Sequence, residues 1–473
     1  MLNRRELLVR AAGLGAALAL PDWAFAATDP RLKSLAAAVR GPVLARGGAG
    51  YALARLEYDS VYDAVKPLAV VQPLDAADVA AVVRWATKTG VHIVARSGGH
   101  SYGGYSTVAN GVVVDLQRLK SISVSQGRAL VGAGARLGNI YNGLAQHGLA
   151  IPAGTCPSVG IGGHALGGGF GLASRAWGLA SDNVLAVQLV TADGKVIVAD
   201  AKHHSDLYWA CRGGGGGNFG LVTHFTFRTH AVAQGSYFVA TWPWAQAADV
   251  IAAFLAWAPH QPDALGALCR LAAGGGPTVQ VFGQYLGSET ALKSALASLH
   301  PPAAKLTTGT AAWLDLVRRW AGCLGQPLPG CSVPGHTAFA GASDYLAKIP
   351  STPQLARFTD VVEARGASSG ALLIDAYGGA INRVKPAATA FVHRAMLASI
   401  QYYAGGAGAR GWVDSSRAML EPAVTGSAYV NYIDPHLANW QRAYYGANLP
   451  RLKAVKKKYD PHNLFRFPQS IRA

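Results

Sequence analysis

The tightest constraint on this chain is where its glycines fall. Gly98-Gly99, the stretch Gly160-Ile161-Gly162-Gly163 to Gly167-Gly168-Gly169, and Gly213 to Gly217 are dense runs. Glycine lacks a Cβ and reaches positive φ, so such runs let backbone N–H groups approach a ligand closely. Between Leu116 and Ser181 there is not one Asp or Glu, while Arg118, Lys120, Arg128, Arg136 and Arg175 all lie there. Consecutive N–H groups form an anion-binding concavity, and missing carboxylates remove local repulsion. Two separate loops, Arg96-Ser97-Gly98-Gly99-His100 and Gly160 to Gly169, suggest a ligand with two linked phosphates. The alternative is that the glycines only make turns.

With 473 residues, the chain holds two or three domains or one large one, at roughly 100–200 residues per domain. Hydrophobic residues at 51% against 14% charged exclude disorder. The net charge of +17 suits an anionic ligand and says nothing about fold. Asp75 to Gly90 reads as a helix, Val91 to Ala95 and Val112 to Val114 as strands, and Gly138 to His147 as a second helix. Asp193-Gly194 between Val184–Val190 and Lys195–Val198 signals a hairpin, and Gly220 to Arg228 alternates. The pattern is α+β with mixed strands. A second domain is expected over 234–422, where tryptophans and Pro-rich loops replace the long glycine runs. The tail, 423–473, carries a helix around Trp440 to Tyr459.

The N-terminus is a targeting segment. Arg4-Arg5, the apolar run Ala11 to Leu20, and Ala24-Phe25-Ala26 read as a twin-arginine export signal over residues 1–26. That places the mature protein in the periplasm or outside the cell, without stable membrane association. The five cysteines are an odd number for an exported chain. Cys323 and Cys331 could close a short disulfide, Cys211 and Cys269 read as buried thiols, and Cys156 sits among glycine, threonine and proline.

Several chemistries fail on context. Gly99-His100-Ser101-Tyr102-Gly103 fits the serine-hydrolase elbow, but no helix follows it, so Ser101 is a weak nucleophile candidate. Gly132-Ala133-Gly134 to Gly138 mimics a dinucleotide fingerprint but lacks its downstream acid. No P-loop, metal-ligand spacing or nucleic-acid reader motif is present.

The segments Arg96-Ser97-Gly98-Gly99-His100-Ser101-Tyr102 and Gly154-Thr155-Cys156-Pro157-Ser158-Val159-Gly160-Ile161-Gly162-Gly163-His164 together resemble the berberine bridge enzyme-like FAD oxidases of the vanillyl-alcohol oxidase superfamily. Trp209 to Gly220, Tyr429-Val430-Asn431-Tyr432 and Tyr459-Asp460-Pro461-His462-Asn463 extend the match along nearly the whole mature chain. The resemblance implies a two-part FAD-binding domain of mixed sheets and helices, 27–233 with 423–473. Between its parts it implies an inserted substrate domain whose antiparallel sheet is covered by helices. It implies FAD bonded to His100 (8α carbon) and to Cys156 (carbon 6). His164 matches a histidine that supports the linkage. Val159 matches the position that admits O2, favouring an oxidase over a dehydrogenase. Further flavin contacts carried over are Arg96, Ser97, Gly98, Gly99, Ser101, Tyr102, Gly160, Gly162, Gly163, Gly167, Val222 and Asn463.

Flavin oxidation of an alcohol needs hydride delivery to N5 and a base for the hydroxyl proton. Tyr432 matches the family's catalytic tyrosine, and Asp375 a position that is aspartate in its carbohydrate oxidases. A salt bridge from Asp375 to Arg383 or Arg394 is the competing expectation. Gln401 and Tyr377 are substrate candidates, and Trp313, Trp320 and Tyr402 could stack on a sugar or an aromatic ring. The expected reaction turns a carbohydrate C1 hydroxyl into a lactone with O2 reduced to H2O2. Oxidative tailoring of a secondary metabolite or aromatic alcohol is the alternative.

Overall fold

The helix Ala76–Thr89 forms where capping and periodicity agree. The Asp75 carboxylate accepts from the Ala77 and Asp78 N–H groups at 2.9 and 3.1 Å, and Gly90 ends the helix in the left-handed region. Val79, Val82, Val83 and Ala86 make its buried stripe. They belong to the core of a four-stranded sheet ordered Val43–Ala45, Ala69–Val71, Val112–Asp115, Ile93–Arg96. The last three strands are parallel, and Val112–Asp115 is buried on both faces, which is why it reads as an unbroken apolar run. The computed structural model describes residues 29–331 and 335–473. The export signal read over residues 1–26 lies outside the described residues.

A second sheet, antiparallel throughout, has the order Ile122–Ser125, Arg128–Gly132, Leu221–Arg228, Val184–Val190, Val196–Asp200. Its buried face shares one apolar core with the four-stranded sheet. The C-terminal residues Ala428, Val430, Tyr445, Leu452, Val455, Phe465 and Ile471 join the same core. The single helix expected over Trp440–Tyr459 is two, Trp440–Tyr445 and Leu449–Tyr459. Gly446 at φ 46° ends the first, and Pro450 fits only the opening turn of the second.

The third sheet has seven strands, all antiparallel, in the order Lys305–Ala312, Gln234–Trp242, Thr278–Tyr285, Leu265–Ala273, Gly370–Ala376, Ala398–Gly405, Phe339–Leu346. Alternation divides its faces. Leu372, Ile374, Ile400 and Tyr402 pack with Phe254, Phe358 and Trp412 of the covering helices Ala247–Trp257, Thr352–Glu363 and Ala409–Leu420. Leu373, Asp375, Gln401 and Tyr403 are on the opposite face, toward the first two sheets. The α+β expectation and the helix-covered antiparallel sheet are both borne out.

Buried arginines join the seven-stranded sheet to the rest. Arg175 donates to the carbonyls of Tyr377, Leu265, Pro259 and Gln261 at 2.8–3.0 Å. Arg394 forms a bidentate pair with Asp182 at 2.7 and 2.8 Å. Cys323 and Cys331 are disulfide-bonded, with Cα atoms 6.4 Å apart. Cys211 and Cys269 are free and buried, and burial pushes the Cys211 thiol up to about 12. Among the described residues, no helix is long and apolar enough to cross a membrane.

Candidate active site

The strand Ile93–Arg96 ends in Ser97–His100, so the first glycine loop emerges at the carboxyl edge of the parallel strands, a common place for ligands. It meets the second loop backbone to backbone. A Cβ on Gly98 would collide with the Gly160 amide, and one on Gly160 with Ser97 Oγ and the Gly98 amide. Ser97 Oγ donates to the Ala133 carbonyl at 2.6 Å and accepts from the Gly162 N–H at 3.3 Å. These glycines therefore serve loop-to-loop contact first. Gly163 is different: nothing lies within 4 Å of where its Cβ would be, and it lines the cavity, so a side chain there would take ligand space. The second run is also not all loop, because Ile161–Leu166 is helical.

The loops wall a cavity of about 480 Å³. Ser97, Gly98, Gly99, His100, Ser101, Tyr102, Cys156, Val159, Gly160, Gly162, Gly163, His164 and Val222 line it from the glycine side, and Leu373, Gln401 and Tyr432 from the other. Among the described residues no carboxylate lines it, and Arg466 is its one Arg or Lys. A glycine cradle without negative charge fits a phosphate-bearing cofactor.

His100 and Cys156 open onto this same space. His100 Nε2 is buried without a partner, and burial holds the imidazole down at about 3, which keeps the ring neutral. Tyr58 stacks on it at 3.8 Å. Cys156 is half-buried, its Sγ 3.3 Å from Ser158 Oγ. His164 accepts from the Gly154 N–H at 3.1 Å, fixing the loop that carries Cys156. Burial holds His164 down at about 4. Ser101 Oγ accepts from the Tyr105 N–H at 3.1 Å and is followed by turns, so the hydrolase elbow is absent.

On the facing wall, strand pairing sets Leu373 opposite Gln401; one step further along the same strand face Asp375 is opposite Ser399, and neither of these two lines the cavity. Gln401 Nε2 donates to the Tyr102 hydroxyl, and Tyr102 stacks on Tyr432 with centroids 5.2 Å apart. Asp375 has neither expected arginine, since Arg383 pairs with Asp263 and Arg394 with Asp182. Burial pushes its carboxyl up to about 8. Burial raises the Tyr432 phenol well above its ordinary value, with Tyr102 and Asp375 adding to the rise. Asp375 and Tyr432 are electrostatic neighbours, but no hydrogen bond joins them.

Other sequence candidates lie elsewhere. Arg96 faces away from this cavity, its guanidinium bound to Asp115 at 2.9 Å and to the Ala54 and Leu56 carbonyls. Gly167 is packed by Asn431 Oδ1, which occupies the place of its Cβ. Asn463 is in a left-handed turn near the cavity rim and does not line it. Tyr377 is buried behind Phe170, stacked on it at 5.4 Å, with its hydroxyl 3.3 Å from that of Tyr345. Tyr402 points into the helix-covered core, Trp313 packs on Tyr141 and Trp177, and Trp320 stacks on Phe282. None of these four rings lines the cavity. Sequence reasoning missed Tyr58, Phe170, Phe339 and Tyr403, which do. Alternation around Gln401 could have found Tyr403; nothing local marks Tyr58.

Comparison with known proteins agrees with this geometry. The FAD binding domain family matches residues 67–200, and the berberine and berberine-like family matches 428–472. The chain is 35% identical to the FAD-linked oxidoreductase YgaK of Bacillus subtilis, over 83% of this chain and 88% of the relative. It is 34% identical to a chitooligosaccharide oxidase of Gibberella zeae, over 86% and 87% of the two chains. The solved structure of Physcomitrella patens BBE-like 1 superposes with a TM-score of 0.86 at 35% identity, covering 93% of this chain and 98% of that one. The likeness spans both cavity walls and the C-terminal segment, and the chain belongs to the berberine bridge enzyme-like family of FAD-linked oxidoreductases.

Proposed function

We propose that this protein is an exported oxidase whose FAD is bonded to both His100 and Cys156. Its reaction is oxidation of a carbohydrate C1 hydroxyl to a lactone, with O2 as electron acceptor and H2O2 as product. The observation that carries the reading is a neutral imidazole with an unpartnered Nε2 and a half-buried thiol, both opening onto one glycine cavity with no carboxylate among the described residues that line it. The resemblance to a chitooligosaccharide oxidase supports the substrate class. When bound, the flavin supplies a two-electron acceptor and passes the electrons to O2. Val159, small and facing the cavity, leaves room for O2 and favours an oxidase over a dehydrogenase.

This chain's residues supply the proton chemistry. Tyr432 meets the substrate hydroxyl, and its proton passes to the Tyr432–Asp375 couple, whose carboxylate form predominates only above about pH 8. Tyr102 and Gln401 hold the Tyr432 ring in place. His164 holds the Cys156 loop. The second reading, an aromatic alcohol or secondary metabolite, draws support from the rings of Tyr58, Phe170, Phe339 and Tyr403 along the cavity. Peroxide release screened over mono- and oligosaccharides, then phenolic alcohols, separates the two. Activity confined to phenolic alcohols selects the second, and turnover only with an artificial acceptor makes the protein a dehydrogenase. Export is tested by N-terminal sequencing of secreted protein, with Ala27 as the expected first residue.

A further inference from the structure

The motif Tyr429-Val430-Asn431-Tyr432 holds two residues, Tyr429 and Asn431, that line the cavity but have no part in the proton chemistry proposed above. The Tyr429 hydroxyl accepts from three N–H groups: Gly169 at 2.7 Å, Phe170 at 3.3 Å and Asn431 Nδ2 at 2.8 Å. Asn431 Nδ2 also donates to the His164 carbonyl at 2.9 Å, and its Oδ1 fills the space that a Cβ on Gly167 would need. On its other side, the Tyr429 N–H donates to Ser343 Oγ of the seven-stranded sheet at 2.8 Å. Tyr432, by contrast, has only ring contacts for its side chain, a stack on Tyr102 and an edge on Tyr429 at 5.1 Å. Its N–H donates to the Tyr429 carbonyl at 2.9 Å, so its backbone follows Tyr429.

The geometry points to Tyr429 and Asn431 as positioning residues for Tyr432: they clasp the Val430–Tyr432 turn to the Gly167–Phe170 loop and so aim the Tyr432 phenol into the cavity. The inference rests on Tyr432 meeting the substrate hydroxyl. It also gives Gly167 a role that flavin contact does not, because that glycine makes room for Asn431. A displacement of about 1 Å at a reacting group costs on the order of 100-fold in rate.

The test uses flavin-loaded, full-length protein as wild type and as Tyr429→Phe, Asn431→Ala, Tyr432→Phe, Gly167→Ala, and the doubles Tyr429→Phe/Tyr432→Phe and Gly167→Ala/Asn431→Ala. Tyr429→Phe keeps the ring and removes only the accepting oxygen. Amide hydrogen exchange is one readout, and it needs no substrate. Flavin reduction by N,N′-diacetylchitobiose, or by the alcohol that releases most peroxide in the screen above, is the other. Expected are faster exchange at Gly169 and Phe170 in Tyr429→Phe, and reduction slowed about 10- to 100-fold with KM little changed. In the Tyr432→Phe background Tyr429→Phe should cost nothing further, and Asn431→Ala should relieve the damage done by Gly167→Ala. Wild-type exchange and reduction in Tyr429→Phe, with Tyr432→Phe slow, would overturn the clasp. So would additive losses in the double variant. Wild-type reduction in Tyr432→Phe would instead remove the reading of Tyr432 on which the inference stands, whatever the exchange data show.

Discussion

The two walls of the cavity are built on different principles. The glycine wall is backbone: Gly98 on Gly160, Gly163 open to the cavity, and Gly216 with its Cβ position 3.5 Å from the Gly163 Cα. The facing wall is side chains from two paired strands, displayed at every second position, with Leu373 against Gln401 and Tyr403 beyond it. Backbone walls tolerate little, because any added atom either collides or fills the ligand's place. Side-chain walls can be altered one group at a time.

That contrast can be broken by experiment. The largest expected effect is Gly160→Val, which forces the two glycine loops apart. We expect a loss of more than about 3 kcal/mol in urea unfolding, or no soluble flavoprotein at all. Tyr432→Phe should leave the fold and the flavin intact while slowing flavin reduction about 100- to 1000-fold in rapid-mixing measurements. Asp375→Asn should flatten the pH profile of reduction, which in the wild type should rise toward a pKa of about 8. It has a second consequence. The carboxyl's pKa rises from 3.8 unfolded to about 8 folded, so wild-type stability falls as pH climbs through that window. Asp375→Asn should therefore melt at a higher temperature than wild type at pH 9, and alike at pH 4. Gly163→Val should change unfolding by under about 0.5 kcal/mol yet cut flavin content, read from the ratio of visible to ultraviolet absorbance. The smallest effect belongs to the side-chain wall: Tyr403→Phe should shift KM about twofold to fivefold and leave reduction at saturation unchanged.

The same division explains what could be read before the fold was known. The glycine loops, His100 and Cys156 are contiguous motifs, and both side chains do open onto one cavity. The helix Ala76–Thr89 was legible for the same reason, since its cap, stripe and stop are local. Contacts between distant segments were not. Nothing near Arg96 shows that Asp115, its neighbour across the parallel sheet, takes its charge. Asp375 and Tyr377 are two residues apart, yet only Asp375 is still within the strand, and Tyr377 is buried behind Phe170. Gly167 resembled another phosphate-loop glycine until Asn431, remote in sequence, was found in its Cβ space. The aromatic lining by Tyr58 and Phe339 comes from segments remote from the glycine loops in sequence, and no local pattern marks it.

The central claim, a flavin fixed at His100 and Cys156, is tested most directly by denaturing gel electrophoresis of the acid-precipitated protein under ultraviolet light. Fluorescence should migrate with the wild-type polypeptide, persist in His100→Ala and in Cys156→Ala, and vanish in the double variant. Release of all flavin from the wild-type chain into the acid supernatant would contradict the account.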